Sequence, residues 1–166
     1  MTYLDTKLLI IAVALLGLIF LFVRYRHKIL VPLLAALVIA TLWSFYFRYE
    51  YTEANIFLFN RINIYPLVLW TTALTTLQLA SSKLPHRYRL VVATILYLIC
   101  LLAAEAIGYH LLNVRLTSRY TSLLNLGVIH APTVMKTFYI LAGPLFLVLI
   151  SQINRLPRAT AIRNKQ

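Results

Sequence analysis

Acidic residues are nearly missing from this chain. Asp5, Glu50, Glu53 and Glu105 are the four, against sixteen Lys and Arg. Charged residues of both signs fill only 12 % of the 166 positions, where a soluble domain carries roughly a quarter. That shortage excludes an ordinary soluble globular protein. Cysteine is reduced to Cys100, which excludes a disulfide framework and a zinc knuckle. Cys100 falls mid-way along an apolar stretch and reads as a small apolar side chain. With four glycines there is no Gly-rich phosphate loop, and no GxSxG elbow or nucleophile triad is present. Internal repeats and low-complexity segments are missing too.

Apolar residues are what the chain has, at 61 %. They gather into five stretches, at about 8–23, 29–47, 64–80, 90–107 and 132–153. Runs near twenty residues match a hydrocarbon layer of about 30 Å at about 1.5 Å rise per residue. Pro32 and Pro66 fall near the starts of the second and third stretches, where the first helical turn tolerates them. The expected fold is an all-α integral membrane protein: one bundle of five transmembrane helices spanning 1–166, with the lipid bilayer as its first partner.

The net charge of +12 does not point to nucleic acid, because the basic residues sit in short clusters between apolar runs. Arg24, Arg26 and Lys28 form one cluster, Lys83, Arg87 and Arg89 a second. Arg155, Arg158, Arg163 and Lys165 form the third, in a basic tail at 154–166. Five crossings put all three clusters on one side and every acid on the other. Lys and Arg favour the cytoplasmic side, so the N-terminus is expected outside and the C-terminus in the cytoplasm. The run after Leu8 ends in Arg24-Tyr25-Arg26-His27-Lys28, not in a small-residue cleavage site, so it reads as a retained helix. Tyr46, Tyr49, Tyr51, Tyr65, Tyr109 and Tyr120 mark the outer boundary, as amphipathic rings favour the headgroup level. A bacterial plasma membrane is the expected location.

Two long connections lie outside. In 109–131, Leu111, Leu112, Leu116, Tyr120, Leu123 and Leu124 recur at helical spacing, opposite a stripe of Arg115, Arg119 and Ser122. That pattern predicts a helix lying in the interface between spans four and five. A sixth span is disfavoured, since each Arg at its middle costs about 2.5–3.5 kcal/mol. Arg48–Asn63 is expected to be a shorter version of the same thing.

Candidate chemistry collects on that outer side. Glu105 stands about 22 Å up a helix that begins at Leu90, inside the outer leaflet. An ionisable residue at that depth faces a bundle interior or a cavity. It reads either as a catalytic acid, base or proton relay, or as a structural partner of Arg61, Arg115 or Arg119. Glu50 and Glu53, three apart, could share a face for acid–base work. His110 and His130 add two further bases. His130 precedes Pro132 at a helix start, where the positive helix end disfavours its protonation. The same residues could supply metal ligands, but their spacings match no zinc or di-metal motif, and no metal and no cofactor is expected. Arg61, Arg115 and Arg119 are the candidates for holding an anionic head group. In the third stretch, Thr71, Thr72, Thr75 and Thr76 read as a stripe bonding a neighbouring helix, or as a polar substrate groove.

In size and layout the chain resembles the small polytopic accessory proteins of cell-envelope machines, without a shared motif. The leading expectation is a non-enzymatic accessory subunit of a larger export, sorting or lipid-processing system, docked on a larger membrane protein. The alternative is a membrane-embedded enzyme doing acid–base chemistry on a lipid or isoprenoid head group at the outer leaflet. A small transporter ranks last, because below Tyr97 the fourth stretch offers a polar path only Thr94.

Overall fold

A computed structural model describes residues 3–52, 55–118, 120–125 and 127–155. Glu53, Arg119 and the basic tail from 156 onward lie outside the described residues. The fold is mainly helical. Helix α1 spans Tyr3–Phe47, α2 Ile64–Ser81, α3 Arg89–Ala106 and α4 Thr133–Ile153. Between α1 and α2 lies a short hairpin of β1 (Phe57–Leu58) and β2 (Ile62–Asn63). Helices α1, α3 and α4 are long and apolar enough to cross a membrane.

Helix α1 joins the first two apolar stretches, with its break at Tyr25 (φ −127°, ψ 26°). A straight helix would hold Lys7 and Phe47 about 60 Å apart. Tyr51 lies four residues further on, a reach of at most about 14 Å. Yet the Lys7 ammonium sits 4.6 Å from the centre of the Tyr51 ring. The chain therefore turns back on itself at Tyr25, which lies at the opposite end of the molecule, 5.9 Å from the Lys83 ammonium in the α2–α3 loop. The basic cluster around Arg24–Lys28 supplies that turn, and no glycine is needed.

Helix α2 starts where Asn63, in extended conformation, accepts a hydrogen bond from the Tyr65 N–H. This is the ordinary satisfaction of an orphan donor at a helix start. It ends where the Ser81 and Ser82 hydroxyls donate to the carbonyls of Gln78 and Leu79, with Pro85 just beyond. Half of its residues are buried, including Leu74 and Thr75 at 0 % exposure. Ala36 and Ala40 of α1, one turn apart and buried, present small side chains that let helix backbones approach closely. Trp43 of α1 stacks on Phe138 of α4, whose ring also meets Trp70 of α2. The second half of α1, α2 and α4 thus build the core. By contrast α3 buries only Ala93 and Tyr97. Leu16, Phe20 and Val23 of α1 and Val91 and Ile99 of α3 stand more than half exposed. An apolar surface this wide is unsuited to water and suited to lipid.

Two local expectations fail. Among its described residues the connection 48–63 is not helical. Phe59 and Asn60 both take positive φ (50° and 53°), and the Arg61 N–H donates to the Leu58 carbonyl. That makes a tight turn centred on Phe59 and Asn60, in a hairpin whose pairing of Leu58 with Ile62 leaves a three-residue loop. Nor is there a continuous interfacial helix through the described residues of 112–131, which hold one short turn, Leu123–Asn125. The helical spacing of leucines there is overridden by pairing between the two connections. The Thr52 N–H donates to the Arg115 carbonyl and the Thr117 N–H to the Glu50 carbonyl, both at 2.9 Å. Positive φ at Asn113, Leu124, Gly127 and Ile129 breaks the rest. The threonine stripe also differs. Thr71 and Thr72 donate to carbonyls of their own helix, an exchange open to buried hydroxyls in any helix.

Candidate functional site

An elongated cleft of about 580 Å³ opens between α2 and α3, a volume typical of small-molecule sites. Its walls run from Tyr65 to Ala80 on α2 and from Leu96 to Tyr109 on the other side. Fifteen residues of α2 correspond to about 22 Å. Along most of this length the lining is apolar, with Leu69, Ala73, Leu77, Leu96 and Leu101. At the end nearest the long connections it is polar. Tyr51, Tyr65, Glu105, Tyr109, Arg115 and His130 meet there. Ala73, Thr76, Ala80, Leu96, Cys100 and Ala104 line the cleft yet are exposed, so it is open sideways along its length.

Local structure explains the gathering. From Ile107 to Leu111 the helix widens to a π turn, with the Leu112 N–H reaching the Ile107 carbonyl. Such turns shift the helical register and recur at functional sites. Here Glu105, Gly108 and Tyr109 all come to the cleft. Glu105 is partly buried and makes no ion pair with a described residue. Arg61 instead covers the Phe45 ring at 4.3 Å, and Arg115 the Tyr109 ring at 4.6 Å. What surrounds the carboxyl is phenol. Tyr51, Tyr65, Tyr97 and Tyr139 line the same cleft and lie within Coulomb range of it. Desolvation pushes the Tyr51 phenol well above its usual range, so it remains an O–H donor.

The first connection is tied down from below. Trp43 donates to the Tyr49 hydroxyl at 2.7 Å, and the Asn63 amide donates to the Tyr49 carbonyl at 3.0 Å and to Asn55 at 2.9 Å. These bonds hold Tyr51 over the cleft mouth. The second connection is held by Lys136, which donates to the Thr121 hydroxyl and the Ser122 carbonyl. His110 donates through Nε2 to the Gly127 carbonyl at 2.8 Å.

No protein family, curated protein or solved structure matches this chain. The reading of the site therefore rests on its own geometry.

Of the residues expected from the sequence, Glu105, His130 and Arg115 come together at the polar end of the cleft. Glu50 does not line it. It pairs with Arg48 at 3.1 Å, with both side chains at least half exposed, an arrangement worth about 0–1 kcal/mol. His110 lies behind the lining, its ring edge against Tyr109, and Arg61 lies apart against α1. Among the described residues no three of His, Cys, Asp and Glu converge as metal ligands would. The tyrosines facing Glu105 are the part that residue-by-residue reading missed. Tyr97, eight residues before Glu105, already shared its helix face in the sequence. Nothing in the pattern signals Tyr139.

His130 stacks on Tyr109, with ring centres 3.7 Å apart and planes at 11°. Burial holds its imidazole below the usual 6.5, helped by the positive charges of His110, Lys136 and Arg115. In the window below 6.5 the folded chain then binds fewer protons than the unfolded chain, so stability falls as the pH drops through it. The His130 ring resonances, followed by NMR, are expected to titrate with a midpoint below 6.5. A midpoint at or above 6.5 would contradict this environment.

Proposed function

We propose that this chain crosses a bilayer five times and takes an amphiphile from the outer leaflet into the α2–α3 cleft. Glu105 then serves as the acid–base group at the head of the bound molecule. The observation that carries this reading is the cleft itself, polar at one end, apolar along the rest and open sideways. A lipid-like molecule has the same division, and each buried CH₂ favours its binding by about 0.8 kcal/mol. The Tyr51 and Tyr65 phenols, which line the cleft, can donate hydrogen bonds to a head group while the carboxyl gives or takes a proton.

Five crossings follow from folding α1 in two at Tyr25 and counting α2, which is the least apolar helix because its neighbours are mostly protein. The end bearing Lys7, both long connections and the cleft mouth would face outward. The basic turns at Arg24–Lys28 and Lys83–Arg89 would face the cytoplasm of a bacterial cell. In a Cys100→Ala background, Asn60→Cys is expected to react with a membrane-impermeant maleimide in intact cells, and His86→Cys only after lysis. The reverse pattern would overturn the orientation.

The site is tested on the purified full chain. Native mass spectrometry is expected to show a retained amphiphile, lost in Ala73→Trp, which fills the cleft from the α2 wall. Incubated with a membrane lipid extract, the wild-type chain is expected to consume a species that Glu105→Gln consumes about 10²–10⁴-fold more slowly. Identical lipid profiles for the two would remove the catalytic role, and retention unaltered by Ala73→Trp would remove the cleft as the binding place. An accessory subunit docked on a larger membrane protein is favoured by no particular surface, since the open faces of α1 and α3 are those lipid itself would cover.

A further inference from the structure

Two side chains at the polar end of the cleft, Arg115 and His130, are not used by acid–base work at Glu105. Arg115 lies exposed at the mouth, its guanidinium over the Tyr109 ring. It makes no ion pair with a described residue. His130 stacks on the same ring, and its Nδ1 is shielded from solvent with no hydrogen-bond partner among the described residues. A shielded ring nitrogen without a partner is costly unless a ligand meets it. Tyr109 thus fixes two side chains that both line the cavity. Lys136 adds positive charge near them without lining the cleft. Among the described residues the sole carboxyl in the cleft is Glu105, about one turn deeper on the same helix.

We propose that Arg115 and His130 form an oxyanion subsite at the cleft mouth, which takes the phosphate of a phosphate-headed amphiphile. This rests on the cleft reading above and adds the chemical class of the head. Arginine is suited to phosphate because its planar N–H groups meet two oxygens at once, and its stacking on Tyr109 leaves the edge of the guanidinium free for them. His130 lines the same mouth; its Nδ1, closed to solvent while the cleft is empty, turns to the phosphate as the head enters and, in the tautomer that carries its proton there, donates a further bond. With the phosphate so held, the first bonds of the tail pass Glu105 and the chain lies along Leu69, Ala73 and Leu101. The carboxyl then faces the linkage between head and tail and not the anion.

The test uses the full chain in neutral detergent, titrated with hexadecyl phosphate, with hexadecyl glucoside of the same tail, and with inorganic phosphate alone. The expected result is at least about tenfold tighter binding of hexadecyl phosphate than of the glucoside, the scale of one charge-assisted hydrogen bond. That margin should vanish in Arg115→Gln and shrink in His130→Phe, which keeps a ring against Tyr109. Glucoside binding should be unchanged in both variants, which also shows that they are folded. Equal binding of the two amphiphiles by the wild-type chain would overturn the subsite and leave the cleft reading standing. Binding of neither would overturn both. Inorganic phosphate binding as tightly as hexadecyl phosphate, and lost in Arg115→Gln, would establish the oxyanion subsite with free phosphate as its source.

Discussion

Replacing Gly143 by alanine is expected to cost about 1–3 kcal/mol of stability, the usual penalty of overpacking. Alanine is otherwise the better helix former by about 1 kcal/mol, so the sign of the effect is itself informative. A Cβ at position 143 would lie 2.6 Å from Cγ and Cδ1 of Tyr97 and 2.8 Å from Cε1. These are atoms near the root of a buried ring, not the end of a flexible chain, and they cannot move aside cheaply. The ring is also held at its far end, where the Tyr97 hydroxyl donates to the Tyr139 carbonyl. Pro144, next in α4, lacks the N–H that would bond the Ile140 carbonyl, and the loosened turn leaves the nearby Tyr139 carbonyl within reach. Gly143, Pro144 and Tyr97 therefore form the joint between α3 and α4 behind the cleft. Thermal unfolding in detergent measures the loss. Tyr97→Leu in the Gly143→Ala background is expected to recover part of it, because it removes the ring that clashes. A Gly143→Ala chain as stable as the wild type would show that this joint is not closely packed.

Asn63→Leu should be comparably damaging, about 2–4 kcal/mol, by summing a lost helix cap and an unsatisfied buried carbonyl. Asn63 is 1 % exposed and serves three partners. Its oxygen accepts from the Tyr65 N–H, and its nitrogen donates to the Tyr49 carbonyl and the Asn55 side chain. Leucine keeps the branching and heavy-atom count and removes every one of these bonds. Asn63→Ser separates the roles, since serine keeps a capping oxygen and loses the two donated bonds. An intermediate stability for Asn63→Ser is expected, and amphiphile retention should fall in both variants because Tyr51 is no longer held over the cleft. Unfolding curves superimposable on the wild type would refute the assignment of Asn63 as the tie between connection and helix.

Helix positions were legible in advance because apolar run length alone decides them. The expected third, fourth and fifth stretches at 64–80, 90–107 and 132–153 match Ile64–Ser81, Arg89–Ala106 and Thr133–Ile153 closely. The first two stretches became one helix broken at Tyr25. The two long connections were misread, since leucine periodicity cannot report the backbone pairing of Tyr51 with Leu116, a partnership across 65 residues of sequence. In the site, Glu105 stood out from its depth in an apolar run, and Arg115 and His130 from their charge beside it. Glu50 and Glu53 looked alike by spacing. The structure sends Glu50 to Arg48 at the surface, and Glu53 lies outside the described residues.

The sequence by itself determined that the chain is mainly helical and apolar enough for a membrane, and where α2, α3 and α4 run, because these depend on how many consecutive side chains avoid water. It also showed that basic residues gather in short turns between apolar stretches, since charge clusters are written in order along the chain. Only the tertiary structure decided what Glu105 faces. Its neighbours Tyr51, Tyr65 and Tyr139 come from the first connection, α2 and α4, and distance in sequence says nothing about which of many polar residues share one cavity. The physical reason is that hydrophobic length is a local property of the chain. A cleft arises between helices that pack less closely than their neighbours do.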